Sequence, residues 1–169
     1  LLSVNGPIVA NEGRAKQSFP YDQRKILFRN LRNGTFENVT DKAGAVFQLS
    51  EAGRGAAFGD IDNDGDVDIV VGNDNGRLRL LVNNIGNRNH WLGMRLVGRQ
   101  GRDMLGARVV VILRDGSKRW RRFRSDGRYA SANDPRVLVG LGPSASVRSG
   151  SASRGEGAPL PLIGGLGWC

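Results

Sequence analysis

Apolar and polar positions alternate along this chain in short runs, and most runs break at glycine, asparagine or aspartate. Period two over four to eight residues is the signature of half-buried strands. The pattern predicts a strand over Lys25–Asn30 and a return over Thr35–Thr40, which separates Phe36 from Glu37 across the strand. Asn33-Gly34 between them is a strong hairpin signal. Asp41–Gly44 can make at most a short helical turn. Further strands are predicted over Gly55–Gly59, Val67–Val71 and Arg77–Val82, with a turn at Asn73–Gly76. Another strand carries Trp91, Leu92, Met94 and Leu96. Gly106–Leu113 reads as a strand partly buried on both faces, and a two-residue turn at Asp115-Gly116 leads into Lys118–Arg124. Short strands and glycine-asparagine turns define an all-β chain of the blade or sandwich class.

Between two of these strands lies Asp60-Ile61-Asp62-Asn63-Asp64-Gly65-Asp66-Val67-Asp68, five aspartates in nine residues. Like charges a few ångströms apart cost about 3–4 kcal/mol per pair at an effective dielectric near 20. A hard divalent cation reverses the sign, and Ca²⁺ suits a flexible cage made only of oxygens. The form D-x-D-x-D-G-x-x-D assigns side-chain oxygens of Asp60, Asp62, Asp64 and Asp68 to the ion, with the backbone carbonyl of Asp66 at the seventh position. Gly65 permits the sharp turn. An EF-hand would need a glutamate at the twelfth position and helical flanks. Here Val71 stands at the twelfth position and both flanks are strands. The competing reading is an acidic turn that is merely solvated.

Charge divides the chain. Residues 1–86 hold 10 Lys/Arg and 11 Asp/Glu, a net of −1, and residues 87–169 hold 15 and 5, a net of +10, so the basic character of the chain resides in the second part. That asymmetry argues for two modules with different surfaces. No run of apolar residues is long enough to span a membrane as a helix. The single cysteine, Cys169, can form no internal disulfide. The start has neither the basic nor the apolar region of a signal peptide and no initiator Met, so a leader is expected upstream.

Ile26–Phe36 resembles the end of a VCBS or FG-GAP propeller repeat, and Arg54–Val70 resembles the start of the next. Gly-Ala-Pro is absent after Phe58-Gly59, which places the likeness with the VCBS-type branch. Asn89–Leu92, Arg102–Val109, and Tyr129–Arg136 with Gly140–Gly142 resemble the ASPIC/UnbV domain that follows such repeats in cartilage-acidic-protein-like proteins. The resemblance implies a partial β-propeller over 1–86 with calcium in the aspartate loop, upstream blades that complete it, and a small β-sandwich or barrel-like module over 87–142. It implies a secreted, non-catalytic protein with a protein or glycan ligand. Residues 143–169 depart from the family. A closing strand is expected there, yet the stretch is rich in Ser, Gly, Arg and Pro without periodicity, and reads as an irregular, disordered tail.

The Arg-rich strand offers a different function. Arg119, Arg121, Arg122 and Arg124, interleaved with Trp120 and Phe123, form a candidate anion site for a sulfated polysaccharide or a nucleic acid. Alternation sends Trp120, Arg122 and Arg124 to one face and Arg119, Arg121 and Phe123 to the other. No RNP, KH or zinc pattern accompanies these charges, which disfavours nucleic acid. The alternative is a solvated edge strand whose arginines discourage pairing. The only histidine, His90, reads as structural, and no nucleophile elbow or phosphate loop is present, so no enzyme is expected. Asn33-Gly34-Thr35 and Asn38-Val39-Thr40 are glycosylation tripeptides that carry no weight alone.

Overall fold

The computed structural model describes residues 1–6, 21–98, 100–127, 131–143, 146–153 and 160–161. Tyr129, Ala130 and Cys169 lie outside these residues, as does most of the expected tail. Every described regular element is a strand or a short 3₁₀ turn, so the chain is all-β. Two compact units result. The first takes Leu1–Ala57, Ile69–Leu81 and Gly127–Ser131; the second takes Phe58–Asp68, Val82–Asp126 and Ala132–Cys169. The whole aspartate loop therefore belongs to the second unit.

In the first unit, β1 (Leu2–Ser3), β3 (Ile26–Asn30) and β4 (Phe36–Asn38) form one sheet, and β2 (Gln23–Arg24) pairs with β5 (Ser50–Glu51). A third sheet has the order β6 (Gly53–Gly59), β7 (Asp68–Asn73), β8 (Arg79–Leu81). The β3–β4 hairpin closes where the Leu31 amide bonds the Thr35 carbonyl at 3.1 Å. Gly34 sits inside that loop at φ +88°. The predicted helical turn is 3₁₀, over Thr40–Lys42.

Among the described residues of this unit the buried apolar side chains are Phe47, Ala52 and Val71. A charged group shares the interior. Lys25 is 1% exposed and pairs with Glu51 at 2.5 Å, while Arg79 reaches the other Glu51 oxygen at 2.6 Å. Burial pushes the Glu51 carboxyl up, but hydrogen bonds from Arg79 and Lys25 outweigh it and hold the group below the usual range.

The second unit has a larger apolar core. One sheet runs β11 (Lys118–Arg122), β10 (Arg108–Leu113), β13 (Val147–Ser153), β14 (Leu160–Pro161); the other pairs β12 (Val137–Gly142) with β9 (His90–Met94). Strand β10 alternates strictly, with Val109, Val111 and Leu113 inward. They meet Leu92, Phe123, Val139, Leu141 and Ala152 in one cluster. The two sheets enclose this cluster in a sandwich-like arrangement.

Two expectations need correction. The turn after β10 has three residues, not two: Leu113 and Ser117 bond at 2.9 Å, and Gly116 takes the left-handed position at φ +80°. More important, the tail is not irregular throughout. Val147–Ser153 pairs antiparallel with β10 from Leu113↔Val147 to Arg108↔Ser153, and Ala152 enters the core. Small residues hid this strand, because Ser and Gly carry little hydrophobic periodicity.

Candidate metal site at the β6–β7 loop

Strand β6 delivers Asp60 and strand β7 begins at Asp68, so the hairpin brings the two ends of the aspartate run together. Carboxylate oxygens of Asp60, Asp62 and Asp68 lie within 4.8 Å of one another. Ca²⁺ bonds oxygen at about 2.3–2.6 Å, so ligands across one ion stand up to about 5 Å apart. Asp60 and Asp68 are buried at 2% and 1% exposure, and Asp62 faces solvent.

Backbone donors shape the loop. Asp68 accepts from the amides of Ile61 and Asn83, both at 2.9 Å, and Asp60 Oδ2 accepts from the Gly65 amide at 3.2 Å. Asp62 and Asp64 each cap the amide two residues on, the turn habit of this side chain. Among the described residues, Asp60 Oδ1 and both oxygens of Asp66 are buried without a hydrogen-bond partner. Buried orphan carboxylate oxygens are costly unless a cation completes them. Burial, then the negative charges of Asp64 and Asp68, push the Asp66 carboxyl above the ordinary range. Burial also raises Asp62, with Asp64, Asp68 and Asp60 adding to it. The residues present therefore fit a hard divalent ion.

The structure distributes the five aspartates unevenly. Asp60, Asp62 and Asp68 converge, whereas Asp64 Oδ2 is turned to the Asn87 amide at 2.7 Å. Asp66, assigned above through its backbone carbonyl, also has a buried side chain.

Residues distant in sequence hold the loop. Arg136 donates through one guanidinium nitrogen to the Asp60 carbonyl and through another to Asn63 Oδ1 at 2.6 Å. Its own charge is met by Asp134 at 2.6 Å. Asn133 accepts the Phe58 amide at 3.0 Å, and the Asp134 amide bonds the Phe58 carbonyl at 2.9 Å. Gly65, at φ +91°, lies so close to Trp91 that a Cβ there would overlap the indole. Arg136, Trp91 and Asn87 escaped the sequence reading because their roles depend on contacts that no local pattern announces.

The four candidate anion-binding arginines do not form one site. Arg119 and Arg121 alternate with the outer face of β11, and Arg121 donates to the carbonyls of Leu138 and Trp120 at 3.2 and 2.8 Å. Arg122 lies opposite Arg108. Arg124 falls beyond the strand, 3.8 Å from Asp126. Phe123 on the other face is wholly buried.

Residues 14–71 match the model of the FG-GAP-like repeat, and residues 98–150 match that of ASPIC and UnbV. It is similar to cartilage acidic protein 1 of Xenopus tropicalis (45% identical over 57 residues), Mus musculus (50% over 57) and Homo sapiens (48% over 57). The match covers 34% of this chain in each case and 9%, 9% and 8% of those relatives, so it spans under a tenth of their length. Among the described residues no helix is long and apolar enough to cross a membrane.

Proposed function

We propose that the chain is a non-catalytic, calcium-binding adhesion or scaffold-type module of an extracellular protein, with Ca²⁺ held by Asp60, Asp62 and Asp68 and supported by Asp64 and Asp66. The observation that carries this reading is the buried, unpartnered Asp60 oxygen in a cluster of converging carboxylates. The likeness to cartilage acidic protein 1 supports the extracellular setting. Calcium is structural here. It neutralises the loop that Arg136 and Trp91 grip, and so braces the sandwich-like unit that contains it. The surface loops are then held for a protein or glycan ligand, and further blades of the same protein complete the propeller.

Calorimetric titration of Ca²⁺ into the full chain tests the metal, together with thermal melts in calcium and in chelator. With free Ca²⁺ at a hundred times Kd, the stabilisation is about 2.7 kcal/mol. Asp60→Asn should abolish both the heat and the melting shift. Identical midpoints with and without chelator would refute the reading.

A further inference from the structure

The outer face of the β10–β11–β13 sheet carries a second chemistry that the metal does not explain. Register puts Arg108 opposite Arg122 and Val110 opposite Trp120 on one side, and Val110 opposite Ser151 and Ile112 opposite Ser149 on the other. Alternation turns Val109, Val111 and Ala152 to the core. Arg108, Lys118, Trp120, Arg122, Ser149 and Ser151 therefore share the opposite face. All of β11 is exposed, and Trp120 stands 61% open to solvent. Strands β10, β11 and β13 contain no Asp or Glu, and Arg108, Lys118 and Arg122 have no ion pair among the described residues.

We propose that this face docks a sulfated polysaccharide. Side chains two apart on a strand are separated by about 7 Å, so Lys118 and Arg122 span roughly 14 Å, with Arg108 beside the latter. Three cations in that span match a polymer with more than one anion per sugar pair, which sulfation supplies. The planar guanidinium fork fits an oxyanion by paired hydrogen bonds. Indole is the side chain on which the C–H face of a pyranose stacks, and its polar edge remains free. Ser151 lies one strand further on, across Val110 from the indole, where its hydroxyl can exchange hydrogen bonds with those of a neighbouring sugar. An edge strand guarded only against pairing needs charge and gains nothing from an exposed indole. Single-stranded nucleic acid is less suited, because it uses several aromatic platforms for successive bases and this face has one.

Surface plasmon resonance of the full chain over immobilised heparin, hyaluronan and oligo(dT) in physiological salt tests the proposal. Heparin should retain the chain, with the logarithm of affinity falling linearly with the logarithm of salt. Arg108→Gln with Arg122→Gln should weaken binding about tenfold, as expected when charge-assisted hydrogen bonds are lost. Trp120→Ala should weaken it about fivefold at unchanged charge, which a purely electrostatic attraction would not do. Arg32→Gln with Arg77→Gln removes the same charge from exposed positions in the first unit and should leave retention unchanged. No heparin retention, equal loss in the two double variants, or equal retention on hyaluronan or oligo(dT) would overturn the proposal. Chelator should not affect the result in folded protein, which separates this face from the metal site.

Discussion

Asp60 and Gly65 show how much a single position can decide in the nine-residue loop. Asp60 gives one oxygen to the Gly65 amide and keeps the other buried and unmatched. Gly65 combines a left-handed backbone with direct contact to Trp91. Gly65→Ala must both strain the backbone and displace the indole, so we expect a loss of about 1–3 kcal/mol and a changed Trp emission maximum. Equilibrium urea unfolding followed by fluorescence measures both, and an unaltered midpoint would contradict the packing described. Spacing alone made the aspartates legible, because charge alternation around a glycine has few other uses. Arg136 was not legible: its partner Asp60 is 76 residues away and offers a backbone carbonyl, which has no sequence signature.

Among elements, β13 and the buried charge beside β5 respond to different tests. Ala152 lies in the core at 4% exposure, so Ala152→Asp would bury an unpaired carboxylate and should cost several kcal/mol. Loss of the cooperative melt checks this, and a fully folded variant would return Val147–Ser153 to the status of a tail. The strands rich in Val, Ile and Leu were readable from their alternation, whereas β13 was masked by its serines. In the first unit, Glu51 titrates below its ordinary value of 4.5 in the folded chain. Its contribution is therefore full above pH 4.5 and falls away as pH drops through the depressed folded value. Glu51→Gln leaves buried Lys25 without its Glu51 counter-charge, and should cost about 3–5 kcal/mol at pH 7 and less at pH 3, below the unfolded value of 4.5. Urea midpoints at the two pH values, compared with the parent, decide the matter.

For the whole molecule, acid acts in opposite directions on the two units. Asp62 and Asp66 carry raised values, so in chelated protein their ionisation opposes folding above the unfolded value of 3.8. Lowering pH from neutrality through the raised folded values relieves that cost, until the unfolded groups take up protons as well. Calcium should abolish this relief, since a bound dication favours the ionised carboxylates. Melting curves between pH 7 and pH 4, with and without chelator, should therefore converge as pH falls. Parallel curves would mean that the aspartates and the metal are not linked. The all-β class was readable from turn residues and alternation. The assignment of residues to compact units was not, because it depends on long-range hydrogen bonds such as those of Asn133 and Arg136.

The grip of Arg136 on the Asp60–Asp68 hairpin carries a practical lesson about where this polypeptide can be cut. A shortened version starting at Asn87 would keep strands β9, β10, β12 and β13, which supply most of the buried cluster, yet would leave Arg136 with Asp134 alone, without the Asp60 carbonyl and Asn63, and leave Trp91 without its glycine neighbour. Domain borders drawn from sequence likeness and those drawn from mutual support do not coincide here. The segment that Arg136 and Trp91 hold belongs to the compact unit that begins at Phe58.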